Sequence, residues 1–283
     1  MRIAGIALVA GLVGCASPPA EAPAELTNLA EFLFLHAGDE DTAELAAGVA
    51  QLRTLNESED FTMSARDRAV QLDILDGENL GELSIPSGVK AADQVPIGLA
   101  RQSSASYEGN VNVALEVNRV CIESDTTVWA QRTFSEGEDC YGLDGCDTLR
   151  FEQPTRKENP LAKIWYDLKG FYRLVDVEPA EGEPFQAIVY KYWIDEVGQG
   201  DGGNNTWDQL FGIDITYEEA DGSVGGWVGL WSSVDIFPLG ADSYGNLVID
   251  GLEQGGVFAD EFIAGTTDGK CPLDRDAPMP ERK

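Results

Sequence analysis

The 283-residue chain carries 50 acidic side chains against 19 basic ones, a net charge of −31. A surface of that sign repels phosphate backbones, so nucleic acid is excluded as a partner, and no basic patch relieves the repulsion. The length suits one substantial domain, or one domain with a small helical annex.

The N-terminus reads Met1-Arg2, an apolar run from Ile3 to Val13, then Gly14-Cys15. A short positive start, a brief apolar core and a small residue describe a secretory signal. The run falls short of the roughly 20 apolar residues that span a bilayer. Leu12-Val13-Gly14-Cys15 resembles the lipobox of bacterial lipoproteins. That resemblance implies a diacylglycerol on the Cys15 thiol, cleavage that leaves Cys15 first, and acylation of its amine. Several acyl chains on one residue anchor firmly, since each buried CH₂ contributes about 0.8 kcal/mol. The resemblance also implies a cell-envelope protein held to a membrane. Ala16 stands where aspartate often marks inner-membrane retention, which implies the outer membrane in a cell with two. In its general features the rest of the chain resembles acidic bacterial lipoproteins, which implies no activity. The expected organisation is a signal peptide (1–14), a lipidated tether (15–25), N-terminal helices (26–56), a β-rich domain (57–271) and a flexible polar tail (272–283).

After the Pro/Ala/Glu tether, residues 27–55 read as helix in two pieces. Thr27 can cap the first, which carries Leu29, Phe32, Leu33 and Leu35, and Gly38-Asp39 breaks it. Asp41 can cap the second with Glu44 as its capping-box partner. Leu45, Val49 and Leu52 then form one stripe, expected to pack on the following domain.

From about residue 69 the pattern turns to β. Val111, Val113, Leu115 and Val117 alternate with less apolar residues and read as a half-buried strand, with a bulge near Asn118-Arg119. Residues 127–134 read as a strand and 135–161 as a long loop. Ile164–Val175 and Phe185–Ile194 are strand-like, the second apolar on both sides. Around Asp221-Gly222, residues 211–236 read as a hairpin with a two-residue type I′ turn. That turn sets Ile215 opposite Val228 and Ile213 opposite Leu230. Residues 247–252 and 257–263 read as a further hairpin about Gly255-Gly256. The fold class expected is mainly β: an antiparallel β-meander forming a curved sheet, sandwich or open barrel, after a short N-terminal helical segment. An α+β fold is the alternative.

Besides Cys15 the chain has Cys121, Cys140, Cys146 and Cys271. An even number in an exported protein points to two disulfides, for which three connectivities exist. Cys140–Cys146 is favoured, because the intervening Tyr-Gly-Leu-Asp-Gly can turn back on itself. Cys121–Cys271 remains, a closure worth about 4 kcal/mol on the chain-entropy model. Zinc is the weaker reading, with no Cys-x-x-Cys and His36 as the single histidine.

No phosphate-binding glycine loop, dinucleotide fingerprint, His-Glu-x-x-His or Gly-x-Ser-x-Gly occurs, so no catalytic residue, metal or cofactor is assigned. Carboxylate-based glycoside hydrolysis stays open, since it needs no histidine. Asp195, Asp201, Asn204, Asn205 and Asp208 offer hard oxygen ligands for calcium, although turn chemistry explains them as well. In the hairpin register above, Trp227 and Trp231 share a face with Asp214. There they form either an aromatic platform for a carbohydrate or protein ligand, or core covered by the N-terminal helices or a second sheet. The functional expectation is a lipid-anchored envelope protein, non-enzymatic, with a structural or binding role. The alternative is a carboxylate-dependent hydrolase of envelope or extracellular polysaccharide. The sequence sets no oligomeric state.

Overall fold

The two apolar stripes at the N-terminus do form helices, Leu26–His36 (α1) and Ala43–Asn56 (α2). The Asp41 carboxylate accepts from the Ala43 amide at 3.0 Å and so satisfies one donor at the start of α2. Thr27 lies inside α1 rather than capping it. A short helix, Ala65–Arg68 (α3), is capped by Ser64 and leads into Val70–Gln71 (β1) and Val95–Ser103 (β2). Tyr107–Val113 (α4) follows, then strands Thr127–Ala130 (β3), Thr133–Glu136 (β4), Thr148–Glu158 (β5) and Lys163–Val177 (β6). Phe185–Ile194 (β7), Gly198–Gly200 (β8), Thr206–Glu218 (β9) and Val224–Asp235 (β10) complete the strands. The chain then enters a 23-residue helix, Ala241–Ile263 (α5). These positions come from a computed structural model, which describes residues 21–120, 122–123, 126–203, 205–236, 239–266 and 278–282. Cys15, Cys121 and Cys271, and with them the expected Cys121–Cys271 bridge, lie outside the described residues.

One ten-stranded sheet runs β1-β2-β10-β9-β7-β6-β5-β3, with β4 beside β5 and β8 beside both β6 and β9. The pairs are antiparallel, and β5, β6, β7, β9 and β10 form a meander of successive neighbours. With 36% strand and 27% helix, the fold is a β-rich α+β arrangement. Its two faces are both covered. On one, α1 and α2 bury Leu29, Leu33, Phe34, Leu45 and Leu52 against Phe171, Val189, Phe211 and Ile213. On the other, α4 and α5 place Tyr107, Val111, Tyr244 and Val248 over Leu168, Tyr172, Ile188 and Leu230. The double covering explains why β7 is apolar on both sides.

Sequence period and structure part company at four places. Residues 111–117 do not form a strand. Val111 and Ala114 are buried while Val117 is 45% exposed, a helical rather than an alternating pattern. The Ser106 hydroxyl starts that helix by accepting from the Gly109 amide. Residues 247–263 are not a hairpin but the body of α5. The loop expected over 135–161 shrinks to about 137–147, because β5 occupies its second half. It is closed by the Cys140–Cys146 disulfide, with the Cα atoms 5.2 Å apart.

The fourth departure is a register shift in the β9–β10 hairpin. The Gly222 amide donates to the Glu219 carbonyl, and the Glu219 amide to the Ser223 carbonyl, so the loop holds three residues rather than two. Gly222 takes φ +81° there, a left-handed value suited to glycine. One extra residue transfers every partner to the opposite face. Trp227 therefore pairs with Ile215 and Trp231 with Phe211, while Asp214 pairs with Val228.

Trp227 and Trp231 are 1% and 0% exposed. Phe34 of α1 packs on Trp231 with ring centroids 5.5 Å apart, and the Trp231 indole donates to the Asp73 carbonyl at 2.8 Å. A Cβ on Gly98 or Gly229 would come within 2.8 Å of the Trp227 ring, so these two positions stay bare to admit it. Trp227→Ala and Trp231→Ala should each cost about 3–5 kcal/mol of stability, as large-to-small changes in a packed core do. Denaturant titration checks this; an unshifted midpoint would show that the rings are not core.

Candidate functional site

The described residues concentrate their apolar, concave surface under α5. Tyr244, Leu247, Val248, Gly251, Leu252, Gly255, Gly256 and Ala259 recur at spacings of three and four, so one stripe of the helix faces inward. Opposite them stand aliphatic residues of the sheet, among them Ile164, Leu168, Ile188, Leu210, Val228 and Leu230. Between the two lies a cavity of about 560 Å³. That is within the roughly 300–1,000 Å³ typical of small-ligand sites and far above the water-sized voids of packed interiors. A Cβ added at Gly251 or Gly255 would meet nothing within 4 Å. Glycine at these positions preserves empty space.

Polar clasps at Tyr244, Asp250 and Asp260 help to hold α5 over the cavity. The Tyr244 hydroxyl hydrogen-bonds Ser232 of β10. Arg66 of α3 donates from Nε to Asp250 at 2.9 Å. Near the far end the Asp260 carboxylate accepts from the Ser104 amide at 2.6 Å and from the Ser103 and Ser104 hydroxyls. The helix between them carries Gly245, Gly251, Gly255 and Gly256, each costing about 1 kcal/mol of helix propensity relative to alanine. The helix therefore depends on its packing against β2, α3 and α4 more than on its own propensity.

Polar groups enter the wall from α4 and α5, at Asn110, Asp250 and Gln254, and from two places beneath them. On β2 and β9, Arg101 Nη2 donates to Asp214 Oδ1 at 2.7 Å and to Thr216 Oγ1 at 3.0 Å. Burial pushes the Asp214 carboxyl above the usual range, against the pull of the Arg101 guanidinium. On the β5 side, Arg119, Glu123 and Lys157 line the cavity. Behind them the buried Arg132 donates to the Tyr172 hydroxyl at 2.9 Å and to the Gln153 side-chain oxygen at 2.8 Å. Tyr172 stacks on Tyr190 with centroids 4.3 Å apart, and Tyr190 leans on Tyr192 at 4.6 Å. Burial raises the Tyr190 and Tyr192 hydroxyls well above their ordinary titration range, so the aromatic wall is neutral.

The three carboxylates in the lining are each engaged separately, Asp250 by Arg66 of α3. Asp214 is held by Arg101, and Glu123 accepts from Gln153 Nε2 at 2.8 Å and from Thr127 Oγ1 at 3.3 Å. The wall offers hydrocarbon contact with a few oriented donors, which is binding chemistry.

No known family profile matches the chain, and no curated protein does either. Among solved structures, a STAR-related lipid transfer protein fragment from Xanthomonas axonopodis aligns over 60% of this chain and 85% of its own, at 9% identity and a TM-score of 0.42. Human STARD10 aligns over 62% of this chain and 67% of its own, at 9% identity and a TM-score of 0.36. The lipid transfer and protein localization domain of human StarD13 aligns over 75% of this chain and 95% of its own, at 11% identity and a TM-score of 0.35. Overlaps this loose carry no argument about function, which rests on the cavity.

The residues singled out from sequence are scattered by the fold. Trp227 and Trp231 are core on the α1–α2 side, so they make no surface platform. Asp214 points to the other face and into the cavity. The corrected hairpin register separates them. Of the residues weighed for calcium, Asn204 lies outside the described residues, and the acidic ones do not converge. Asp195 binds Lys169 at 2.8 Å, Asp201 binds Arg156 at 2.9 Å, and Asp208 accepts from Thr206. Turn and ion-pair chemistry accounts for them. His36 sits 2.6 Å from Asp39 at the end of α1, with Glu44 close by, all at the protein surface. The cavity-lining stripe of α5 escaped the sequence reading because its glycines read as a turn. Its spacing of three and four from Tyr244 to Ala259 is the signal that would have found it.

Proposed function

We propose that this protein binds a single amphiphilic lipid molecule in the cavity beneath α5, without transforming it. The observation that carries this reading is the 560 Å³ cavity itself, walled by aliphatic and aromatic side chains and roofed by a glycine-weakened amphipathic helix. An apolar hollow of that size forgoes packing that a purely structural core would use. Its walls match a hydrocarbon chain, and its scattered donors match a headgroup. α5 is the element that moves aside for loading, since its glycines weaken it and the opposite side of the sheet is sealed by α1 and α2.

The lipobox reading of Cys15 supplies the setting. A protein tethered by acyl chains on Cys15, with residues 15–25 extended, keeps the start of α1 within roughly 35 Å of the bilayer. A lipid-binding domain at that distance samples one membrane continuously. In a two-membrane cell Ala16 favours the outer one. The strongly acidic surface would keep the domain from lying flat on anionic headgroups.

Binding should be read by displacement of an environment-sensitive fluorophore with a series of single-chain amphiphiles. Each added methylene should tighten binding by about fourfold until the cavity is filled, following about 0.8 kcal/mol per buried CH₂. Gly255→Leu, which builds a side chain into the empty space while strengthening the helix, should weaken binding at least tenfold with no loss of thermal stability. Indifference to chain length, or full affinity in the Gly255→Leu protein, would refute the assignment. The anchor is tested separately. Cys15→Ser should move the protein from the membrane pellet to the soluble fraction, and unchanged pelleting would reject lipidation at that residue.

A further inference from the structure

The cavity wall on the β5 side holds one group that the fold leaves unfinished. Arg119 is 6% exposed and lines the cavity. Its Nη1 donates to the Val113 carbonyl at 2.8 Å, but its Nε has no hydrogen-bond partner. A buried guanidinium donor without a partner is costly, and most native structures avoid it. The surroundings deepen the deficit. Arg132, also buried, bears on Arg119 electrostatically, and burial together with that neighbour pulls the Arg119 guanidinium below its ordinary range. Glu123 is the carboxylate that bears on Arg119 from nearby. Glu123 already accepts from Gln153 and Thr127, and Lys157 stands 3.9 Å from it. Lys157 is engaged nearby, donating to the Thr127 hydroxyl at 2.9 Å. A buried guanidinium donor left without a partner in the wall of a cavity is matched by an acceptor that arrives with the ligand.

We propose that the ligand is an amphiphile with one acidic headgroup, a carboxylate or a phosphate monoester, and that Arg119 reads that headgroup. The inference rests on the lipid-binding reading and narrows it to a ligand class. The acyl chain lies along Ile164, Leu168, Ile188 and Leu230, and the acid accepts from the Arg119 fork. Arg132 stays behind the wall, tied to Tyr172 and Gln153, and adds field rather than contact. The Arg101 site differs in kind: its guanidinium is already matched by Asp214 and Thr216, so it offers no second place for an anion.

Four probes with the same sixteen-carbon chain separate the outcomes: hexadecanoate, hexadecyl phosphate, hexadecanol and methyl hexadecanoate. At least one of the two anions should bind the wild-type protein tenfold or more tightly than hexadecanol and the ester. Whichever anion wins tells a carboxylic acid from a phosphate. Arg119→Gln should bring the preferred anion down to the level of hexadecanol, and Arg119→Lys should retain part of the preference. Equal binding of all four probes overturns the headgroup assignment and leaves the lipid cavity standing, whereas binding of none overturns both. A preference that survives in Arg119→Gln shows that another group reads the acid. If that variant does not fold, the wild-type ranking of the four probes decides by itself.

Discussion

The burial of Trp227 and Trp231 under α1 fixes which side of the sheet is sealed and which is left for a ligand. A ten-stranded antiparallel sheet apolar on both faces must cover both. On the α1–α2 side the covering is dense. Besides the tryptophans and Phe34, buried polar ties lock it: Lys191 donates to the Phe34 carbonyl at 2.7 Å, and Asn56 to the Tyr217 hydroxyl at 2.8 Å. Burial holds the Lys191 ammonium down at about 8, which shows how dry that layer is. The α5 side is built differently. Its helix carries glycines where side chains would fit, and the sheet beneath it ends in aliphatic groups that do not reach the helix everywhere. Rigidity on one face permits hollowness on the other.

The electrostatics follow the same division. Most of the surplus negative charge has no place in either apolar layer and stays in water, where it keeps the domain soluble. The cavity wall itself carries both signs, with guanidinium groups at Arg101 and Arg119 and, just behind the wall, at Arg132. One of these has an internal acid as partner and one has an orphaned donor. In a low-dielectric setting that difference separates a structural pair from a recognition group.

Much of the scaffold was legible in the sequence and most of the site was not. Period-two runs located β6, β7 and the β9–β10 hairpin, and a three-to-four spacing of leucines located α1 and α2. The Cys140–Cys146 bridge followed from spacing alone. What failed was decided by single backbone positions. Gly222 in a left-handed conformation lengthened a turn by one residue and exchanged the faces of Trp227 and Asp214. In α5, glycines lowered local helix propensity so far that a turn was the better local reading. Packing against β2, α3 and α4 supplies the stability that propensity withholds. Val111 and Val113 alternate as in a strand, yet a serine cap and contact with α5 draw them into a helix. Arg119 could not be selected from sequence at all, because an unpartnered donor is a property of three-dimensional burial.

The central claim is that a hydrocarbon chain occupies the space between α5 and the sheet. Photolabelling tests it most directly. The protein is incubated with a long-chain amphiphile carrying a diazirine in its alkyl tail, irradiated and digested, and the labelled peptides are mapped by mass spectrometry. Label concentrated on residues 244–259 of α5 and on the inward residues of β6, β7 and β10, and competed away by unlabelled amphiphile, is the expected result. Label spread over the outer surface of α1 and α2, or label that excess amphiphile does not displace, would contradict the account.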